Sequence, residues 1–245
     1  MNFMLKTKGI SEKINLIIDN EHDKSLYDEL LAVEQELSKK LEVPNVSLGS
    51  KVGDTFLFLD HLAEGVVFYL DNNVWYKVLF HESVPICNKD SYILALRKVE
   101  NYTKIEQAST QEQKILWLYG LHYKLILASY VLKSIETILQ LCKEYVKERK
   151  TFGIPISKHQ MVYDTFVTVS SEFDGNVLFL RELSSQVHSN GLEYQKYFKQ
   201  IDFMLENNSE LVDRILPLFG AYGLENNSII DNFLNVHHLS IFKGV

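Results

Sequence analysis

Cysteine is almost missing from this chain. Cys87 and Cys142 are the only two among 245 residues, so no disulfide framework holds it together and the cytoplasm is the expected compartment. Proline and glycine are scarce, at 4 and 11, which argues against a loop-rich sandwich and excludes a collagen-like chain. Positive charge is in the minority, with 25 Lys and Arg against 32 Asp and Glu and a net charge of −7. Nucleic acid is therefore not an expected partner. The most apolar stretch, Ile115 to Leu132, is interrupted by Gly120, His122, Lys124 and Ser129 and reads as a buried helix, so no membrane partner is expected. No apolar core follows Lys6, Lys8 and Lys13, so no signal peptide is expected. Glycine-rich phosphate loops, nucleophile elbows and zincin motifs are absent. Cys87 and Cys142 lack CxxC spacing, and the adjacent His237 and His238 cannot both face one metal from a helix. The Asn-x-Ser/Thr matches at Asn101, Asn207 and Asn226 read as chance.

Apolar residues are present in quantity. They make up 46% of the chain, with 14 Phe and 13 Tyr, enough to build a packed core and to exclude disorder as the main state. Three textures follow one another. Residues 1–50 carry a reduced helical segment, with Leu26, Leu30, Val33 and Leu37 at helical spacing after a polar break at Asn20–Lys24 and before Pro44. Residues 51–108 hold β-prone runs at 55–59, 66–70 and 74–79, with Asp71-Asn72-Asn73 as a hairpin signal. Tyr92–Leu96 and Val99–Ile105 add two more candidates, giving a small, mostly antiparallel sheet. Residues 109–245 are helical. Thr110 and Gln113 fit a capping box at the start of a helix running to about Glu148. Ser157 is the expected cap of a second helix, which Asn190-Gly191 ends. A third runs to about Leu218, with Gly220 and Gly223 after it, and a fourth spans 228–239. The fold class expected is mainly α, a C-terminal antiparallel four-helix bundle behind a small β segment and a short helical N-terminus.

The bend between the first two long helices reads Tyr145-Val-Lys-Glu-Arg149-Lys-Thr-Phe152-Gly153-Ile-Pro155-Ile156-Ser-Lys-His159-Gln160. It resembles the acyl-CoA dehydrogenase family, which carries Tyr-x-x-x-Arg-x-x-Phe-Gly-x-Pro-Ile-x-x-x-Gln at the corresponding junction. Leu218-Phe219-Gly220-Ala221-Tyr222-Gly223 is a weaker likeness of the family's Gln-x-x-Gly-Gly-x-Gly turn, with Pro217 near the Gln position and Ala221 in place of one Gly. Ala63 to Phe68 resembles an abbreviated middle sheet domain of that family.

The resemblance implies an FAD-dependent oxidoreductase fold whose cofactor is shared across a subunit interface. It implies that Arg149 binds the pyrophosphate of a neighbouring subunit's FAD, that Phe152 packs beside the adenosine end, and that His159, Gln160 and Gly220 border the same site. A guanidinium fork suits phosphate oxygens, although Arg149 is equally suited to face its own helix C-terminus. The family's Glu base aligns with Lys243, and a protonated lysine cannot accept a proton. Glu136 and Glu144 are candidate substitutes, against the plainer reading of solvated helix glutamates. The expectation is a subunit without its own base that contributes to an FAD site in a homo- or hetero-oligomer with an acyl-CoA dehydrogenase homologue. An active flavoenzyme on a CoA- or carrier-bound acyl thioester and a non-catalytic oligomeric scaffold are the alternatives.

Overall fold

A computed structural model describes residues 3–19, 24–87, 96–187 and 194–239. The expected features at Tyr92–Leu96 (all but its last residue), at Asn190-Gly191 and at Lys243 lie outside these. Helices dominate the chain, as expected, and two compact units make it up.

Among the described residues, one unit comprises 24–87, 96–127 and 194–200. Helix α2 (Leu26–Leu41) starts at Ser25, whose hydroxyl accepts the Asp28 N–H at 3.2 Å. Then come β1 (Val46–Val52), β2 (Thr55–Leu59), β3 (Gly65–Asp71), β4 (Val74–Cys87) and β5 (Leu96–Gln107). They close into a barrel in the order β1-β2-β5-β4-β3. Closure uses a parallel pairing of β1 with β3, while every other pair is antiparallel. The Asn72 and Asn73 turn has both residues at positive φ, 48° and 62°, the conformation a two-residue hairpin demands. Phe56, Phe58, Val67, Tyr69, Val78, Phe80 and Val99 fill the barrel.

Strand β1 was not anticipated. Its first five residues are all buried, because α2 packs on β1 while the strand's other face lines the barrel. A strand covered on both sides loses the alternation that would reveal it, and the sequence pattern places residues up to 50 in the helical N-terminal segment.

Helix α3 (Thr110–Glu148) passes from this unit into the other. Its capping box lies one residue earlier than expected. Glu112 accepts the Ser109 N–H at 2.6 Å, and the Ser109 hydroxyl accepts the Glu112 N–H at 3.3 Å. Gln113 instead clamps the backbone of Trp75, accepting its N–H at 3.0 Å and donating to its carbonyl at 2.9 Å. Trp75 is fully buried and meets Trp117 and Phe198 edge-on. Gly120 makes that contact fit. A Cβ there would lie 2.7 Å from Trp75 and 2.9 Å from Phe198. Gly120→Ala is expected to destabilise the protein in chemical denaturation despite the better helix propensity of alanine. Overpacking costs about 1–3 kcal/mol and the propensity gain is about 1 kcal/mol.

The second unit gathers the described residues 3–19, 128–187 and 201–239. It holds α1 (Phe3–Ile18), the second half of α3, α4 (Gln160–Gln186), most of α5 (Tyr194–Phe219), α6 (Ala221–Glu225) and α7 (Asn227–Leu239). Between α3 and α4 lie the two-residue strands β6 (Lys150–Thr151) and β7 (Ile154–Pro155) and a 3-10 turn, Ile156–Lys158. Helix α1 packs on α4, with Asp19 just past its end paired to Arg181 at 2.5 Å. Asn176 of α4 donates to the buried Asn208 of α5 at 2.7 Å. By length and composition α3 could cross a membrane, but 72% of its most apolar window is buried inside the protein, which is how a core helix reads.

Candidate functional site

The bend is shaped by its backbone. Strands β6 and β7 pair as a minimal hairpin, with Phe152 and Gly153 at the tip. Both have positive φ, 54° and 81°. Glycine adopts that region freely, whereas a bulky phenylalanine does so at a cost. The Phe152 ring gains nothing from this chain in return, being 95% exposed. The Ile156 N–H closes the bend onto the Arg149 carbonyl at 2.8 Å.

Ser157 does not cap α4. It sits inside the 3-10 turn, because α4 begins two residues later than expected, at Gln160. His159 occupies the cap position with no side-chain cap bond, so the first N–H groups of α4 lack a side-chain acceptor. Its Nε2 is buried without a hydrogen-bond partner.

Beside the bend is a cleft of about 530 Å³ lined by Leu141, Glu144, Tyr145, Glu148, Arg149 and Tyr222. Arg149 extends past the last turn of α3. Its guanidinium lies 5.5 Å from the Tyr145 ring centre and Nη1 donates to the Tyr145 hydroxyl. Tyr145 stacks on Tyr222 with 4.9 Å between centres and 7° between planes, and Phe219 supports it at 5.7 Å. Gly220, at φ 55°, turns the chain from α5 into α6 and so delivers Tyr222 to this stack. One cation and two carboxylates therefore share the cleft.

The structure thus brings Arg149 and the Gly220 turn to one cleft. Phe152, His159 and Gln160 stand on the adjoining bend and are not among the lining residues. Sequence reasoning missed Tyr222, although Tyr145 and Tyr222 both sit in the two quoted motifs. Glu136 and Glu144 do not share a site. Glu136 borders a second cleft, of about 320 Å³, with Asp19, Lys133, Asp174 and Arg181. His237 faces Asp213 at 3.2 Å.

A further perturbed group was also missed. Glu34 of α2 is 1% exposed. Its Oε1 accepts the Ser47 hydroxyl and the Leu48 N–H, each at 2.7 Å, and its Oε2 faces His61 Nε2 at 3.2 Å. Burial pushes the Glu34 carboxyl up to about 8, against the two hydrogen bonds that favour its anion. Burial holds His61 down, against the backbone at Leu59 and Val46 and the charge of Asp60. A glutamate in the run Leu30-Val33-Glu34-Leu37 is the only sequence signal, since its position matches the buried face of α2.

No protein-family model and no curated protein matches the chain. Solved structures do. Glutaryl-CoA dehydrogenase from Mycobacterium smegmatis, in complex with FADH2, matches with a TM-score of 0.57 at 12% identity over 83% of this chain. Butyryl-CoA dehydrogenase from Megasphaera elsdenii matches with a TM-score of 0.54 at 13% identity over 81%. This chain has the acyl-CoA dehydrogenase fold. Its sequence is far diverged from theirs, and it spans 58% and 60% of the lengths of those two proteins. The same fold recurs in the ChsE4-ChsE5 complex from Mycobacterium tuberculosis, with a TM-score of 0.55 at 12% identity over 80% of this chain and 58% of that one.

Proposed function

We propose that this chain is an acyl-CoA dehydrogenase-like subunit that completes the FAD site of a partner of the same fold, without supplying a catalytic base of its own. The exposed bend carries the reading. A phenylalanine held at φ 54° and 95% exposed, three residues beyond an exposed arginine, is costly in isolation and useful against a second molecule. The residues present fit the phosphate–adenosine end of FAD. Arg149 would hold a phosphate, the α4 N–H groups without a side-chain cap favour the same charge, and Phe152 would pack on the adenine end. His159 and Gln160 would border it, and Gly220 would hold the Tyr222 stack behind Arg149. Glu144 and Glu148 oppose an anion deeper in the cleft, which confines the fit to the bend. When bound, FAD would supply the acceptor for hydrogen removed from an acyl thioester in the partner's site. Association of two different chains in ChsE4-ChsE5 supports a heteromeric arrangement.

The test is the visible spectrum of the chain purified alone and with an acyl-CoA dehydrogenase-fold homologue. Flavin is expected in the pair and not in the chain alone. A stable pair without flavin would overturn the reading.

A further inference from the structure

Helix α4 is 27 residues long yet buries only Val169, Leu180, Leu183 and Ser184. Its outward face is not a typical solvated surface. Met161 is 83% exposed, Tyr163 60%, Val167 46% and Leu178 68%. Thr168, Ser171 and Gly175 lie between them on the same face, and a Cβ at Gly175 would meet nothing within 4 Å. Small residues flanked by large apolar ones form a seat for another helix.

The charges around that seat share one sign. Asp164 and Glu182 are exposed at its two ends, and Asp174 is exposed at its side. They are 18 residues apart at the ends, about 27 Å along a helix. The basic groups at its margins, Arg181 and Arg214, are already paired, with Asp19 and with Glu172 of α4. A second copy of this chain suits the seat badly. Antiparallel packing centred between Ser171 and Gly175 sets Asp164 against Glu182 of the other copy twice over, and parallel packing sets each acid against itself. Like charges facing each other across an interface oppose association and select against that partner.

We infer that the α4 face docks a different chain, through a helix with an apolar stripe flanked at both ends by Lys or Arg, and that its acidic ends disfavour self-pairing. This rests on the reading of the chain as a subunit, but its test contains no flavin. If it fails, the α4 assignment falls while the bend reading stands or falls on its own spectrum.

The probe is the protein itself with its end charges reversed, Asp164→Lys with Glu182→Lys. Both positions are exposed, and circular dichroism verifies the fold. Sedimentation velocity at low ionic strength should show the wild type as a monomer and an equimolar mixture with the variant as a heterodimer. The mixed pair should be about tenfold or more tighter than either self-pair and should loosen as salt is added. Leu178→Asp in both chains should abolish it. Wild-type self-association as tight as the mixture, no association in the mixture, or association that survives Leu178→Asp would each overturn the inference.

Discussion

Glu34→Gln should raise the stability of this protein at pH 8 and remove most of its decline above pH 6.5. The argument is a proton count. Burial favours a neutral Glu34 and a neutral His61, which leaves the pair one proton, on Glu34. The His61 Nδ1, 3.1 Å from the Leu59 carbonyl, must carry a hydrogen. Its Nε2 faces Glu34 Oε2 at 3.2 Å, while Oε1 accepts from Ser47 and Leu48. Tyr27 of α2, Asp60 beside His61 and Tyr123 of α3 are the other titratable groups facing the pair. The charge of Glu34 adds to burial in raising both tyrosines.

In the unfolded chain Glu34 titrates near 4.5 and His61 near 6.5. Between those values the unfolded pair holds one proton, on His61; in the folded pair the raised Glu34 adds to the proton count and the lowered His61 subtracts from it, so the two contributions oppose each other. From 6.5 to about 8 the folded pair keeps its proton and the unfolded pair has lost it. Stability therefore falls as pH rises, by about 2 kcal/mol at 1.36 kcal/mol per unit. The lowered His61 contributes with the opposite sign, a loss of stability as pH drops below 6.5, where the unfolded imidazole takes up a proton that the folded one resists. Glutamine reproduces the protonated carboxyl in shape and bonding. Urea denaturation should show a wild-type decline from pH 6.5 to 8 that is absent in Glu34→Gln. Glu34→Leu should be equally flat but less stable, by about 1–3 kcal/mol for each of the Ser47 and Leu48 donors left without an acceptor. A wild-type profile unchanged by Glu34→Gln would place the alkaline loss elsewhere.

Glu34 also shows where reading the sequence stops. Helical spacing located α2, the β-prone runs located β2 to β4, and the Asp71-Asn72-Asn73 signal located their hairpin. Each depends on a local pattern. Strand β1 depends on burial from both sides, barrel closure on a parallel pairing between strands separated in sequence, and the Glu34–His61 pair on that closure. None leaves a periodic trace. At the bend, the motif pointed to Arg149, Phe152, His159 and Gln160, and a second motif pointed to Gly220, because a motif records spacing along one segment. It could not show that Tyr222, 77 positions after Tyr145, stacks on that ring. Nor could it show that α4 starts at Gln160, because the 3-10 turn that absorbs Ser157 is set by the Arg149–Ile156 backbone bond.

Arg149→Ala should weaken FAD retention by the paired complex about 10- to 100-fold while leaving the fold of this chain unchanged. A charge-assisted bond from a guanidinium to a phosphate contributes about 1.5–3 kcal/mol, which corresponds to about 10- to 150-fold and brackets that range. The competing role for Arg149, a cation at the C-terminus of α3, is smaller. Such an interaction is about 0.3–1 kcal/mol at an exposed site and acts on stability rather than on a ligand. The two roles separate in two measurements. Flavin dissociation from the complex, followed by fluorescence, should rise sharply in Arg149→Ala, whereas the thermal midpoint of the free chain should barely move. Arg149→Lys sharpens the distinction, since it keeps the charge at the helix end but loses the fork that holds two phosphate oxygens. It should restore any lost stability and recover only part of the flavin affinity. Tyr145→Phe removes the hydroxyl that receives Nη1 and keeps the stack on Tyr222. It should loosen the arginine's orientation and fall between wild type and Arg149→Ala. Equal flavin retention in all four proteins would return Arg149 to its helix and leave Phe152 without a ligand to explain its exposure.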